Sequence, residues 1–331
     1  MPNESVTIEQ ARTLLEALLP EQAVLLLSPP GVGKSDLVAQ VAARAALPCR
    51  SLLGTQIAAE DVSGVPRIVG ERTVFCPPRA LLPDDGRPFC LFLDELPACA
   101  PDVQKAFYSL VLERRVGEHA LPRGSWVVAA GNRLDDRALV RAPSSALLNR
   151  LIVIDVRADV GEWLVWASRN GVRAEIMAFV ALCPDALLRE PGDDPTPLST
   201  PRSWTALSRA LDKMTRASNA MVRAVAAGCL SPEDAASFCA IREEGSSHLE
   251  PVESFMQQPE RMPAEGPRRW LYLDAIRQHV ARGALRVPAS QISRFFLALP
   301  LEQQAVLIHG LVEPWLAAGL NLTFVEHTRA A

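Results

Sequence analysis

Residues 24–35 read Val-Leu-Leu-Leu-Ser-Pro-Pro-Gly-Val-Gly-Lys-Ser, and this stretch decides the fold. Its first four residues are apolar and typical of a buried parallel strand, whereas the next six are so rich in proline and glycine that they predict a tight loop. Lys34 and Ser35 then open a segment whose apolar residues recur at helical spacing. A strand, a glycine loop and a helix N-terminus together direct backbone N–H groups at an anion. The stretch therefore predicts a nucleotide-phosphate site.

Each polar residue of this loop has an expected task. Gly31 and Gly33 allow the backbone to approach phosphate oxygens, Lys34 is expected to reach the β- and γ-phosphates, and the Ser35 hydroxyl is expected to bind Mg²⁺. Ser28 stands where the pattern G-x-x-x-x-G-K-[ST] has its first glycine. A short hydroxyl side chain either tolerates that turn or favours a different local backbone. A chance Gly-Lys-Ser after a turn is the competing interpretation, and the flanking strand and helix argue against it.

A second apolar run, residues 88–93, ends in two carboxylates, Asp94 and Glu95. Ligands of parallel α/β sheets bind beyond the carboxyl ends of the strands, so this pair is expected to face the glycine loop. Asp94 is expected to hold the Mg²⁺ shell, and Glu95 to orient and polarise the attacking water. A chance Asp-Glu at a helix N-cap is the alternative interpretation.

Two further polar residues follow later elements. Asn132 leaves a predicted strand at 126–130, where an amide can bind the γ-phosphate or the water; its alternative role is to cap a turn. Arg150 ends a predicted short helix at 144–150, before a strand at 151–155. An arginine at that place is a solvated surface charge unless the ATP of a neighbouring subunit lies against it.

The length, net charge and cysteine content of the chain limit the classes of protein to which it can belong. A chain of 331 residues is long for one core, which favours two or three domains. A net charge of −4 argues against non-specific binding to nucleic acid or to anionic membranes. No apolar run approaches the ~20 residues that span a bilayer, and the polar first residues are unlike a signal peptide. Seven scattered cysteines predict reduced thiols, so we expect a cytoplasmic protein.

The remaining segments predict the organisation of the chain. Residues 7–19 are expected to form an amphipathic helix capped by Thr7 or Ser5, and residues 54–80 an inserted hairpin, with a plain surface loop as the alternative. From residue 160 onward the pattern is helical. Residues 245–267 are typical of a linker. Further predictions are a strand at 49–53 and helices at 101–115, 160–169, 173–182, 202–216, 217–228, 231–244, 268–282, 290–298 and 301–318, the last interrupted at Pro314.

Five landmarks in order resemble the AAA+ ATPases and, within them, the MoxR-like branch that carries a helix-2 insert. They are Ser28–Ser35, Leu91–Glu95, Gly131-Asn132, Leu147–Leu151 and Thr200–Trp204. The resemblance covers roughly residues 1–245. It implies an α/β fold: an AAA+ P-loop core with a central parallel sheet over 1–157, with the insert at about 54–80. An α-helical lid over 158–245 follows. Beyond the part that the resemblance covers, the residues themselves predict a linker and a helical C-terminal extension over 246–331.

The resemblance also implies a role for each candidate residue. Walker A corresponds to Gly31, Gly33, Lys34 and Ser35, and further nucleotide contacts are implied at Pro30, Val32 and Asp36. Walker B corresponds to Asp94 and Glu95, and sensor 1 corresponds to Asn132. The arginine finger corresponds to Arg150, and sensor 2 corresponds to Arg202. Ser35 and Asp94 are the implied magnesium ligands. Arg141 and Arg114 are weaker candidates for a second arginine that acts on a neighbouring subunit.

The activity that the resemblance implies is hydrolysis of ATP, with Mg²⁺, in a ring of identical subunits, usually six. Such rings remodel or activate a protein client in the manner of a chaperone, commonly with a partner that carries a von Willebrand factor A domain. Two alternatives stay open at this point. A nucleic-acid motor or loader on the same core would show DNA-stimulated hydrolysis, and a non-hydrolysing nucleotide-binding scaffold would show no more activity than a Glu95→Gln control.

Overall fold

The structure, a computed structural model, describes residues 4–133, 144–192, 195–214, 216–243, 250–264, 267–308 and 310–320. The chain divides into two compact units, Met1–Glu162 and Trp163–Ala331. None of the helices in the described residues is both long enough and apolar enough to cross a membrane.

The first unit contains helices and strands in alternation. Its strands are β1 (Val24–Leu27), β2 (Cys49–Leu53), β3 (Val65–Val69), β4 (Arg72–Cys76), β5 (Cys90–Asp94), β6 (Arg115–Val116), β7 (His119–Ala120), β8 (Trp126–Gly131) and β9 (Ile152–Asp155). Its helices are α1 (Ile8–Leu18), α2 (Lys34–Arg44), α3 (Ala59–Ser63), α4 (Pro101–Ala106), α5 (Tyr108–Glu113) and α6 (Ser145–Leu148).

Within the described residues of this unit, a five-stranded parallel sheet has the strand order β2-β5-β8-β1-β9. The sequence pattern of β1 follows from its central place, since its residues Val24, Leu25 and Leu26 are fully buried and a strand covered on both faces is apolar throughout. In the sheet, β1 lies beside β8, and β8 lies beside β5. The carboxyl ends of β1, β5 and β8 therefore meet at one edge.

Several predicted elements of this unit are confirmed. Strands β1 and β2 have the predicted bounds, and the predicted hairpin is the antiparallel pair β3 and β4. Helix α1 begins at a capping box, in which the Thr7 hydroxyl accepts from the Gln10 N–H and the Gln10 side chain accepts from the Thr7 N–H.

The predicted helix at 101–115 is wrong in detail. It is two helices, α4 and α5, separated at the fully buried Phe107, and the chain then enters the small hairpin β6–β7. The apolar spacing continues across the break, so periodicity does not reveal it. The Phe107 N–H bonds the Gln104 carbonyl three residues back, a tighter turn than the α-helical one.

The second unit is helical. Its helices are α7 (Val160–Arg169), which begins just before the boundary, α8 (Ala174–Leu182), α9 (Pro201–Lys213), α10 (Asn219–Cys229), α11 (Pro232–Glu243), α12 (Val252–Gln257), α13 (Pro267–Ala281), α14 (Ala289–Leu297), α15 (Leu301–Ile308) and α16 (Val312–Ala318). Phe179, Trp204 and Phe238 pack in its core with ring centroids 5.3–5.8 Å apart.

Two predictions in this unit need correction. Residues 245–267 are not wholly a linker, because α12 buries Val252, Phe255 and Met256 at helical spacing. Their polar and proline-rich neighbours hide this short apolar stripe. The predicted interruption at Pro314 is also misplaced: Pro314 is the third residue of α16, a position in the first turn that proline tolerates. Helix α15 ends before Gly310, whose φ of 73° is left-handed.

Candidate functional site

The loop between β1 and α2 has the backbone that an anion site needs. Gly31 and Gly33 have φ angles of 77° and 114°, which side chains other than glycine rarely adopt. A Cβ added to Gly33 would meet nothing within 4 Å, so its conformation rather than lack of space requires glycine. Gly33 is the N-cap of α2, a helix of 11 residues whose first N–H groups are therefore available to a ligand. The loop is built as the sequence predicts.

Lys34 is only 9% exposed, and its ammonium lies inside this loop. Its Nζ donates to the Ser28 carbonyl at 2.9 Å, to the Ser28 hydroxyl at 2.8 Å and to the Pro29 carbonyl at 3.3 Å. It also lies 3.3 Å from the Asn132 Oδ1. These partners are neutral oxygens, so a phosphate group offers the ammonium a stronger, charge-assisted bond.

Ser28 has a specific role that sequence reasoning left open. Its hydroxyl accepts from Lys34 and donates to the Pro29 carbonyl at 2.9 Å, and the residue is fully buried. Ser28 is not among the described residues with positive φ, so the first position of this loop does not need glycine. The side chain that departs from the usual pattern thus helps to hold the lysine.

Asp94 and Ser35 form the next part of the site. The Ser35 hydroxyl, in the first turn of α2, donates to Asp94 Oδ2 at 3.2 Å from the end of β5. A hydroxyl and one carboxylate are hard oxygen donors that suit Mg²⁺, which usually binds few protein groups and completes its shell with water and phosphate oxygens. The donor set therefore fits magnesium together with a nucleotide.

Glu95 follows Asp94 in a strained conformation. Its φ is 56° and its ψ is 31°, the left-handed region that residues other than glycine enter at a cost of about 1–2 kcal/mol. The Glu95 N–H donates to Asp94 Oδ1 at 3.0 Å, and its side chain Oε2 accepts from the Thr55 hydroxyl at 2.9 Å. Backbone strain of this kind is concentrated at functional sites.

Thr55 is a site residue that sequence reasoning missed. It follows β2, whose register pairs Leu53 with Asp94, so the ends of β2 and β5 are adjacent. Gly54 permits this approach, because an added Cβ would lie 2.2 Å from Cys99 Sγ and 3.2 Å from the Asp94 carbonyl oxygen. The signal available in the sequence was a Gly-Thr pair directly after a predicted strand.

Asn132 reaches the site from β8. The register pairs Leu27 with Gly131, which brings the residue after Gly131 beside the loop that follows β1. Gly131 has no space for a side chain, since a Cβ would lie 2.4 Å from Pro97 Cδ. The structure therefore brings Lys34, Ser35, Asp94, Glu95 and Asn132 to one edge of the sheet.

The structure gives Arg150 contacts elsewhere in its own chain. Its guanidinium lies 4.8 Å from the centroid of the Tyr108 ring and donates to the Ala146 carbonyl. The Tyr108 hydroxyl in turn lies 2.6 Å from the Ser144 hydroxyl. A role at the site of a neighbouring subunit stays a prediction.

Arg202 lies in the second unit, as the second residue of α9, where it is exposed. The chain that leads to it is held by a buried network. The Ser199 carbonyl accepts from the Arg189 backbone N–H. The Ser199 hydroxyl is hydrogen bonded to the Ser231 hydroxyl, and the Ser231 hydroxyl donates to the Asp234 carboxylate. Arg189 makes a bidentate pair with Asp234, whose hydrogen bonds raise the pKa of that guanidinium. Sensor 2 at Arg202 stays a prediction.

The two weaker arginine candidates have different outcomes. Arg114 donates to the carbonyls of Ser125 and Leu19, which precede β8 and β1, and burial lowers the pKa of its guanidinium. These contacts give Arg114 a structural role at the amino ends of the strands. Arg141 lies outside the described residues.

The other predicted nucleotide contacts lie on the same loop and helix. Pro30 and Val32 are loop residues, and Val32 is buried, whereas Asp36 is exposed on the first turn of α2. Their contact with nucleotide stays a prediction.

Residues 23–151 match the family model of the AAA domain, dynein-related subfamily. This stretch includes every predicted site residue except Arg202. With the parallel sheet and the loop, it confirms the predicted AAA+ P-loop fold followed by a helical part. The match identifies an AAA domain and does not identify the MoxR-like branch. No curated protein matches the sequence.

Solved structures that resemble the chain are distant from it. The RuvB Holliday junction branch migration motor of Thermotoga maritima is 16% identical with a TM-score of 0.42, over 84% of this chain and 81% of that one. NtrX from Brucella abortus is 16% identical with a TM-score of 0.46, over 95% and 69%. A putative ATPase from Cytophaga hutchinsonii is 14% identical with a TM-score of 0.37, over 72% and 84%. At these scores the likenesses carry no argument about function.

Proposed function

We propose that this chain is a MoxR-like AAA+ ATPase that hydrolyses ATP in a ring of identical subunits, usually six, and uses the reaction to remodel a protein client. The observation that supports the proposal best is the meeting of Lys34, Ser35, Asp94, Glu95 and Asn132 at one sheet edge. Phosphoryl transfer needs positioned charge and an oriented water rather than covalent catalysis, and these are the groups that supply both.

Binding begins at the loop. Backbone N–H groups of the loop and of the start of α2 donate to phosphate oxygens. Lys34 gives up its hydrogen bonds to the Ser28 and Pro29 carbonyls and donates to phosphate oxygens in their place. Ser35 and Asp94 would hold Mg²⁺, which neutralises phosphate charge when bound. Arg202 is proposed to contribute a further positive charge.

Hydrolysis then depends on the orientation of one water. Glu95 accepts a proton from the water as it attacks the γ-phosphate, and Asn132 helps to align it. Thr55 holds one oxygen of the Glu95 carboxylate at 2.9 Å and so restricts its orientation. Thr55 is therefore a positioning residue.

We expect Thr55→Val to lower kcat about three- to tenfold, because the Glu95 carboxylate loses the hydrogen bond that orients it, and to leave ATP affinity unchanged, because the phosphate-binding groups are untouched. Thr55→Ser keeps the hydroxyl and should restore most of the rate. Steady-state kinetics over a range of ATP concentrations separates kcat from KM. Because Val keeps the methyl group and Ser keeps the hydroxyl, a wild-type rate in Thr55→Val, or an equal loss in both variants, would show that the hydrogen bond to Glu95 does not carry the effect.

The ring follows from Arg150. If it completes the site of a neighbouring subunit, hydrolysis requires assembly of the subunits into a ring. Arginine fingers accelerate phosphoryl transfer by on the order of 10³–10⁵-fold.

The experiment that tests the shared site mixes two inactive variants. Arg150→Ala should bind ATP and lose roughly 10³-fold in turnover. A mixture with Glu95→Gln protein should recover activity, because an intact Glu95 then lies beside an intact Arg150. Arg44→Ala removes an exposed arginine that pairs with Glu16 and is the matched control, expected to hydrolyse ATP normally. Absence of recovery would make Arg150 a residue of its own subunit.

The β3–β4 hairpin is the proposed contact with the client. Four of its apolar side chains are strongly exposed, with Ile68 at 79%: Val65, Ile68, Val69 and Phe75. An exposed apolar surface suits a protein client better than nucleic acid, as does the net charge of −4. A von Willebrand factor A-domain partner is proposed on the sequence resemblance alone.

A further inference from the structure

Two cysteines lie side by side at the amino ends of neighbouring strands. The phosphate loop lies at the other end of the sheet, where the carboxyl ends of the strands meet. Cys49 is the first residue of β2 and Cys90 the first of β5, and the parallel register pairs them directly. Paired residues on parallel strands present their side chains on the same face, so the register places the two thiols beside each other. Cys49 is exposed and Cys90 is buried.

We propose that Cys49 and Cys90 form a hydroperoxide-reactive pair, in which Cys49 reacts with hydrogen peroxide and Cys90 resolves the product to a disulfide between β2 and β5. The backbone spacing allows this bond, because neighbouring strands lie about 4.8 Å apart and disulfides bridge Cα atoms about 4.4–6.8 Å apart. The proposal is independent of the proposed ATPase activity.

The contact divides the two roles. The hydrogen bond from Cys90 lowers the pKa of Cys49 to about 7, against the smaller opposing effect of burial. The same hydrogen bond, burial and the charge of Cys49 raise the pKa of Cys90, while Arg114 opposes them. Near neutral pH, Cys49 therefore carries the thiolate and Cys90 keeps the proton. The thiolate is the nucleophile in thiol oxidation.

In the first step the Cys49 thiolate sulfur attacks one peroxide oxygen and the O–O bond breaks. Hydroxide leaves and takes up a proton as water, so that the sulfur is oxidised to sulfenic acid and the peroxide is reduced. In the second step the Cys90 sulfur loses its proton and attacks the sulfenic sulfur. The S–O bond breaks, hydroxide and that proton leave as water, and the disulfide forms. The sum is two thiols and one peroxide giving one disulfide and two waters.

The first step also prepares the second. Two causes of the raised pKa of Cys90, its bond to the Cys49 thiolate and the charge of that thiolate, disappear once Cys49 is a neutral sulfenic acid. Burial remains, and the nearby Arg114 still favours the Cys90 thiolate. The disulfide would join the edge strand β2 to β5 and close a loop from residue 49 to residue 90 that contains the β3–β4 hairpin.

Peptide mapping of the full chain tests the product. The protein is treated with hydrogen peroxide, its remaining thiols are blocked, and it is digested with trypsin without reduction. We expect peptide 45–50 to be joined to peptide 80–105. Because the second peptide also contains Cys99, the experiment is repeated on Cys99→Ser, and fragmentation spectra of the wild type assign the bond if that variant does not fold. Oxidation of Cys49 without this cross-link, or a bond to Cys99, would overturn the proposal.

Alkylation by iodoacetamide at pH 7 tests the reactive thiol. Relative to an ordinary thiol with a pKa near 8.5, the thiolate fraction of Cys49 is about fifteen times larger, and its lower basicity reduces the rate roughly fivefold. Cys49 should therefore react about threefold faster than Cys76, an exposed cysteine opposite Val65 on the hairpin, which peptide 73–79 reports. Cys90→Ala should remove this advantage, whereas Cys76→Ser should leave the Cys49 rate unchanged. Equal rates at Cys49 and Cys76 in the wild type would refute the pairing.

Discussion

Lys34→Ala is expected to weaken ATP binding by at least about 10²-fold. The ammonium is held in the loop by Ser28, Pro29 and Asn132, at the place where phosphate oxygens would arrive. Charge-assisted hydrogen bonds contribute about 1.5–3 kcal/mol each and a 10²-fold change is about 2.7 kcal/mol, so the loss of two of them produces a change of this size. Titration calorimetry with ATP and Mg²⁺ measures the dissociation constant directly.

The matched control is Lys105→Ala. Lys105 is an exposed lysine of α4, and its removal changes the net charge by the same amount without touching the loop. Circular dichroism of both variants checks that they fold. Wild-type affinity in Lys34→Ala would remove the basis of the proposed nucleotide site.

Glu95→Gln is expected to bind ATP as the wild type does and to lose about 10²–10⁴-fold in kcat, the usual contribution of a general base. The amide keeps the shape of the side chain and its oxygen still accepts from Thr55, but it cannot take a proton from water. Because hydrolysis is blocked, ATP should hold this variant in its ring, which size-exclusion chromatography with and without ATP can show.

Glu113→Gln is the control for this change, since Glu113 is an exposed carboxylate at the end of α5. Its hydrolysis rate should equal that of the wild type. A wild-type rate in Glu95→Gln would assign the base to another group. A wild type as inactive as Glu95→Gln would instead establish a non-hydrolysing scaffold and leave the nucleotide site itself in place.

The parts of this protein that were predictable from sequence are those that local patterns encode. Strand β1, its loop and α2 form a continuous stretch, so the apolar run, the glycines and the helical spacing describe them directly. Asp94 and Asn132 were predictable for a related reason, since each follows a buried strand and the carboxyl ends of parallel strands meet at one edge.

Other features depend on contacts between distant segments. Thr55 meets Glu95 across forty residues of sequence, because the register of β2 on β5 aligns their ends. Cys49 meets Cys90 through the same register. Helix α12 was hidden because only its burial distinguishes it from a polar linker.

The sequence by itself determined the phosphate loop, the parallel sheet and the carboxylates at its edge, because short-range periodicity and turn residues specify strands, helices and their ends. Only the tertiary structure decided which side chains hold the catalytic candidates. The hydroxyl of Ser28 on Lys34, the hydroxyl of Thr55 on Glu95 and the ring of Tyr108 under Arg150 are pairings set by packing and strand register. Two of these contacts join residues about forty positions apart, and the Ser28 contact depends on how its loop folds back over Lys34, so no local pattern contains them.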